Sequence, residues 1–382
     1  MKNRRLRVDR LSTLPPNIIE KILCLVPIRE AGRTCILSKI WRYTWTKIPK
    51  LVFDEDTFQV SDEDKFFYVI YQILLLHQGP ILEFSLCISE PVDEDDTCVE
   101  VDPILRYLSR MNTVKKLRLG NLGRIPSYIF SLQQLTDLYL HQCCIQKQVT
   151  FNGFSSITTL TIDDTKVSKK TLVHLLSKCP LLQTFSLLRG HDQIHCVDDS
   201  GLVKLFECLP VIENLTFDLW CIKCVGEHKH PRELATSLYH LKYMCLYGVQ
   251  FGGNFHYGMP FLALLLRASP NLEKIKLSTF TYTMGEETDS YVDEELDYSD
   301  IELKNLSELE IEEICYRKPE LELVKFMLMK SPLLKTLKII PNQLIREDEE
   351  LEMLNIFRSC PRASPMVEIS LHHVLDESDD DY

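Results

Sequence analysis

One six-residue pattern, apolar-x-x-apolar-x-apolar, returns eleven times along this chain. It reads ILEFSL at 81–86, VKKLRL at 114–119, LTDLYL at 135–140, ITTLTI at 157–162, LQTFSL at 182–187 and IENLTF at 212–217. It continues as LKYMCL at 241–246, LEKIKL at 272–277, LSELEI at 306–311, LKTLKI at 334–339 and MVEISL at 366–371, with a weaker IPKLVF at 48–53 ahead of the series. After the first interval the starts lie 21 to 34 residues apart. Alternation at the end of each motif is the period of a strand, which sends its apolar side chains to one face. No unit of this size buries its own apolar side, so the units must stack into an array. At 382 residues the chain is also too long for one ordinary core.

Several motifs follow an apolar helical stretch and a short proline turn, as in TLVHLLSKCPLL, GLVKLFECLPVI, PFLALLLRASPNL and ELVKFMLMKSPLL. Each unit therefore reads strand, loop, helix, turn, strand. This resembles the leucine-rich repeat, which implies an α/β fold with a parallel sheet on the concave face of a solenoid and helices outside. A doubly wound α/β domain also alternates strands with helices, but it does not repeat one strand motif eleven times.

Residues 10–53 carry no repeat. STLPPNIIEKILCLVP reads as a helix capped by Ser12 or Thr13, with prolines in the first turn, an apolar stripe of Ile18, Ile19, Ile22, Leu23 and Val26, and Pro27 as its end. REAGRTCILSKIWRYTWTKI supplies a second helical segment with Ile36, Leu37, Ile40, Trp41, Tyr43 and Trp45. Two of the chain's three tryptophans lie here, among Arg33, Lys39, Arg42 and Lys47. They suit a small core, a nucleic-acid surface or a docking helix. The formal charge of −12 argues against nucleic acid, because phosphate binding needs a basic field. So short a segment cannot bury this apolar surface alone, and some of it must face the repeats or another chain.

Leu14-Pro15, Ile18, Ile22-Leu23, Pro27, Arg33-Thr34, Leu37-Ser38, Trp41-Arg42-Tyr43 and Trp45 together resemble the F-box of the plant F-box/FBD/leucine-rich-repeat family. At the other end, PELELVKFMLMKSPLLKTLKI and LNIFRSCPRASPMVEISL are similar to that family's FBD region. The resemblance implies a basic tail at 1–9, an F-box at 10–53, a leucine-rich-repeat solenoid at 54–302 with an acidic insertion at 284–300, an FBD region at 303–374 and an acidic tail at 375–382. It implies a substrate-recognition subunit of an SCF-type ubiquitin ligase, without catalysis of its own. A Skp-type adaptor, and through it cullin and RING subunits, would dock on Leu14, Pro15, Ile18, Ile19, Ile22, Leu23, Pro27, Leu37, Trp41 and Trp45. Pro16, Gly32 and Ile40 depart from the family pattern. A scaffold that recruits no ligase, for which Gly32 is the motive, and a small-molecule co-receptor are the alternatives.

The target would meet the polar side of the strands. Strand parity puts Tyr139, Trp220, Tyr243, Tyr247, Lys274 and Lys276 there, with the acidic Glu308, Glu310 and Glu312 beside the lysines. No P-loop, GxSxG, HExxH or GxGxxG motif is present. Cys221, Cys224, His228 and His230 have zinc-ligand chemistry, but their spacing is tight and no second CxxC exists, so a loop without metal is expected. No cofactor is expected. The most apolar run, FFYVIYQILLL at 66–76, is too short to span a bilayer, and the basic start leads into no signal-like apolar run. Fourteen scattered cysteines, often inside apolar runs, suit reduced thiols in the nucleus or cytoplasm.

Overall fold

The computed structural model describes residues 13–36, 39–58, 63–89, 99–146, 153–189, 200–218, 238–250, 258–280 and 299–373. They form two compact units, divided between Val167 and Ser168. The first opens with α1 (Pro16–Leu23), α2 (Ile28–Arg33), a 3-10 turn at Thr34–Ile36, α3 (Lys39–Thr44) and a second 3-10 turn at Trp45–Lys47. There follow β1 (Lys50–Asp54), α4 (Glu55–Phe58), α5 (Glu63–Leu76), β2 (Glu83–Cys87), α6 (Val101–Met111), β3 (Lys116–Arg124), β4 (Asp137–Ile145), β5 (Thr159–Asp163) and β6 (Lys166–Val167). The second unit runs α7 (Lys169–Ser177), β7 (Thr184–Leu188), α8 (Ser200–Glu207), β8 (Asn214–Asp218), β9 (Tyr243–Gln250), α9 (Gly258–Ala268), β10 (Lys274–Phe280), β11 (Glu308–Ile314), α10 (Lys318–Lys330), β12 (Thr336–Pro341), α11 (Glu347–Ser359) and β13 (Glu368–Leu371).

Every strand except β6 starts at the third residue of a motif, including the weak one at 48–53. Pairing is parallel and in sequence order within each unit, except that β6 pairs with β4. In the first, Leu51, Phe84, Leu117, Leu138 and Leu160 stand in one row and Phe53, Leu86, Leu119, Leu140 and Ile162 in the next. None of the ten is more than 1% exposed. Burying such a side chain stabilises by about 1.5–3 kcal/mol, and the rows form only when successive units stack in register.

The proline phrases have one job in the second unit. Leu182, Ile212, Leu272 and Leu334, each the first apolar residue of its motif, donate a backbone hydrogen bond to Cys179, Leu209, Ser269 and Ser331 at 3.2–3.4 Å. Pro180, Pro210, Pro270 and Pro332 sit just inside these turns, where a fixed φ favours closure. Each helix is thus turned back into the next strand.

Two expectations for the N-terminal helices need correction. Pro15, not Thr13, directly precedes the first helical residue and offers no side-chain cap, and Ser12 lies outside the described residues. Adjacent prolines set the entry, and Pro16 at the first position lacks an N–H that would have no partner there anyway. The second segment is not one helix. Its first part stops after six residues, where the Thr34 hydroxyl donates to the Ala31 carbonyl at 2.6 Å, two residues after the helix-weakening Gly32.

Two glycines of this unit should respond oppositely to alanine. At Gly79 the backbone passes the helical module closely: Gln78 N–H donates to the Thr46 carbonyl at 2.8 Å, and the His77 ring contacts the Ile48 carbonyl at 2.9 Å. A Cβ at Gly79 would lie 2.8 Å from the Lys47 carbonyl oxygen, whereas one at Gly32 would meet nothing within 4 Å. Urea unfolding of the full chain should show Gly79→Ala destabilising by about 1–3 kcal/mol. Gly32→Ala should stabilise by about 0.5–1 kcal/mol.

Candidate functional site

The helical module divides its apolar residues between its own core and solvent. Ile19 and Leu23 on α1 turn inward and are buried, as are Ile28, Ala31 and Trp41. Trp41 is only 3% exposed, so it is a core residue of the free chain. Leu14, Ile22 and Trp45 are half-buried, while Pro15, Ile18 and Pro27 face solvent. Leu37 lies outside the described residues. Trp45 edges an apolar cleft of about 320 Å³ with Ile28, Arg29, Gly32, Phe58, Val69 and Ile73. Arg29 spans its rim by donating to the Phe58 carbonyl at 2.8 Å.

Sequence reasoning missed the most exposed apolar residues of this module. Leu25 is 86% and Ile36 84% exposed, and Tyr43 and Ile40 are also open to solvent. Leu25 follows the end of α1 and Ile36 lies in a 3-10 turn, where a helical period says nothing about facing. Their only sequence signal is large apolar residues beside helix breaks.

In the repeats, the polar side of the strands carries the other candidate residues. The first unit aligns Val52, Ser85, Arg118, Tyr139 and Thr161 in one row. Arg118 lies over the Tyr139 ring, 4.6 Å from its centre. The Tyr139 hydroxyl donates to Asp163 Oδ2 at 3.1 Å, and His141 Nδ1 lies 3.2 Å from the same oxygen. Asp163 is buried, so the tyrosine both orients it and takes a set position from it.

The second unit is charged differently. Tyr243, Lys274 and Glu308 are register partners, as are Cys245, Lys276 and Glu310. Lys274 pairs with Glu308 at 2.8 Å, Lys276 with Glu312 at 2.7 Å and Glu310 at 3.4 Å, and Lys338 with Glu310 at 3.5 Å. Burial alone would lower the Lys276 pKa, but its hydrogen bond and charge contact with Glu312, and the charge of Glu310, hold it above the usual lysine range. Half-burial and a hydrogen bond to Cys245 push Tyr247 up to about 12, and burial raises Tyr243 likewise. These tyrosines flank the buried Cys245. The structure therefore brings Tyr243, Tyr247, Lys274 and Lys276 to one face of the second unit, while Tyr139 belongs to the first. Trp220 is outside the described residues.

No cluster of three or more His, Cys, Asp or Glu suited to a metal occurs among the described residues, and Cys221, Cys224, His228 and His230 fall outside them. Among the described residues no helix is long and apolar enough to cross a membrane. Ten described cysteines are free thiols; Cys143, Cys144, Cys179 and Cys245 are buried, but Cys24, Cys35 and Cys87 are only partly so. Burial pushes the Cys143 thiol up to about 12, which leaves it inert.

Parallel strands built from one motif, helices outside them and a short helical module ahead define a leucine-rich-repeat protein with an N-terminal helical domain. Residues 11–53 match the F-box domain profile, and residues 103–216 match the profile described as "FBD-associated F-box protein At5g56370, LRR repeats". The F-box/FBD/LRR-repeat protein At1g13570 of Arabidopsis thaliana is 30% identical over 94% of this chain and 98% of its own length. From the same plant, the putative FBD-associated F-box protein At5g56440 is 30% identical over 49% of this chain and 44% of its own. The FBD-associated F-box protein At5g56370 is 28% identical over 63% of this chain and 54% of its own. The chain belongs to the F-box/FBD/leucine-rich-repeat family.

Proposed function

We propose that this protein is a non-catalytic substrate-recognition subunit of an SCF-type ubiquitin ligase. Its F-box holds a Skp-type adaptor, which brings cullin and RING subunits, and its repeats hold a target protein. The observation that carries this reading is the exposed apolar surface on a module with a core of its own. Large apolar side chains such as Leu25 and Ile36 stand in solvent beside the buried Ile19, Leu23 and Trp41. Such surface on a small helical domain suits a protein partner. The polar strand face of the repeats, with its tyrosines and fixed charges, suits a second one.

A scaffold without ligase recruitment remains the rival. Its motive was Gly32, yet a helix-weakening glycine with empty space at its Cβ lowers stability without blocking a docking surface. A small-molecule co-receptor would need cations left free for an anionic ligand, and the ion pairs of Lys274 and Lys276 weigh against one in the second unit. The test is binding of the purified full chain to a plant Skp-type adaptor. Wild type should bind, and the Leu14→Ala/Pro15→Ala double variant should bind at least about tenfold more weakly while keeping its thermal transition. A wild-type chain that is folded but does not bind would leave the scaffold.

A further inference from the structure

Arg118 differs from the paired cations on the strand faces. Lys116 beside it reaches Glu83 at 3.6 Å, and in the second unit Lys274, Lys276 and Lys338 all meet glutamates. Arg118 contacts no carboxylate among the described residues; its contact is the ring of Tyr139, 4.6 Å away. Tyr139 is itself held by its hydroxyl on the buried Asp163. The guanidinium thus lies on a fixed aromatic platform, exposed, with its N–H edge unused.

A guanidinium seated over an aromatic ring keeps its N–H donors in its own plane, where they form a planar fork. That fork matches two oxygens of a carboxylate or phosphoryl group, and a preset geometry lowers the ordering cost of taking one. The nearby carboxylates are already engaged. Glu83 faces Lys116, Asp163 accepts from Tyr139 and lies against His141, and Asp137 accepts from Thr136. Ser85 and Thr161 flank the Arg118–Tyr139 pair in the same row and add hydroxyl groups on either side.

We propose that Arg118, seated on Tyr139, anchors an oxyanion-bearing side chain of the target protein, a carboxylate or a phosphoryl group in a segment that crosses β2 to β5. This rests on the reading that the repeats recognise a target, and it names that target's chemistry at one point. Tyr139 is a positioning residue here, because it acts through the arginine.

The experiment uses the full chain bound to its Skp-type adaptor. Four pools of nonapeptides, random except for a central Glu, phosphoserine, Gln or Lys, are passed over the immobilised complex. The Glu or the phosphoserine pool should be retained about tenfold more than the Gln pool, as for one charge-assisted fork contact, and whichever is preferred identifies the oxyanion. Arg118→Ala should remove the preference, and Arg118→Lys should keep only part of it, since the charge survives without the fork. Tyr139→Phe should retain more of the preference than Tyr139→Leu, which loses the platform. Equal retention of all pools, retention of none, or a preference unchanged in Arg118→Ala would overturn the proposal. Adaptor capture is measured on the same samples, so a wild-type chain that captures the adaptor yet shows no peptide preference counts against Arg118 and not against the ligase role.

Discussion

Aspartate at both Leu25 and Ile36 should weaken adaptor capture by the full chain a hundredfold or more and leave its folding almost untouched. The two side chains are 86% and 84% exposed, so neither contributes much to the free chain. Buried under a partner, each stabilises the complex by about 1.5–3 kcal/mol, and a charge in its place adds a desolvation penalty. Two such losses amount to at least about 3 kcal/mol, or two orders of magnitude in affinity. Trp41→Ala is the control that separates docking from folding. At 3% exposure Trp41 belongs to the module's core, and its truncation should cost about 3–5 kcal/mol of stability. Calorimetric titration with the adaptor, beside thermal unfolding of each variant, reads both effects. Full adaptor affinity in the folded double aspartate variant would move the docking surface elsewhere on the module.

The division between Trp41 and Trp45 shows how far the sequence could be read. The strands were legible because their apolar period is two and their motif recurs; even the weak IPKLVF became β1. The N-terminal helices were less so. A break at Thr34 splits the second segment into α2 and α3 of six residues each, and α1 has only eight, all too short for periodicity to separate core from surface. Bends within the strands, or just after one, were also hidden. Asn121, Gln142, Asp164 and Glu313 take positive φ values of 46–63°, a conformation that non-glycine residues seldom announce. Asn121, Gln142 and Glu313 sit where the register of their ladders shifts. Arg118 was missed for a different reason. It occupies the fifth place of VKKLRL and Tyr139 the fifth place of LTDLYL, so aligned motifs already make them neighbours. Reading the polar positions one strand at a time gave the tyrosine without its arginine.

Phe217→Ala should produce the largest loss of stability in the second unit, about 3–5 kcal/mol by urea unfolding. Its ring is fully buried. It packs edge-on against Phe185 at 5.6 Å, one strand back, and against Phe206 of α8 at 5.9 Å. Its register partners are Leu187 and Leu246. Truncation therefore removes a ring that joins three successive strands and one helix, and it forfeits two aromatic contacts of about 0.5–1.5 kcal/mol each beyond the area lost. Phe217→Leu keeps most of the volume and should cost well under half as much. The spread of the damage is the stronger test. A repeat array is stabilised by contacts between neighbours, so amide exchange should accelerate most in β7, β8 and β9 and least in β12 and β13. Uniform acceleration out to β13 would mean that the unit opens as one block, and the stacked-repeat account of its stability would have to be given up.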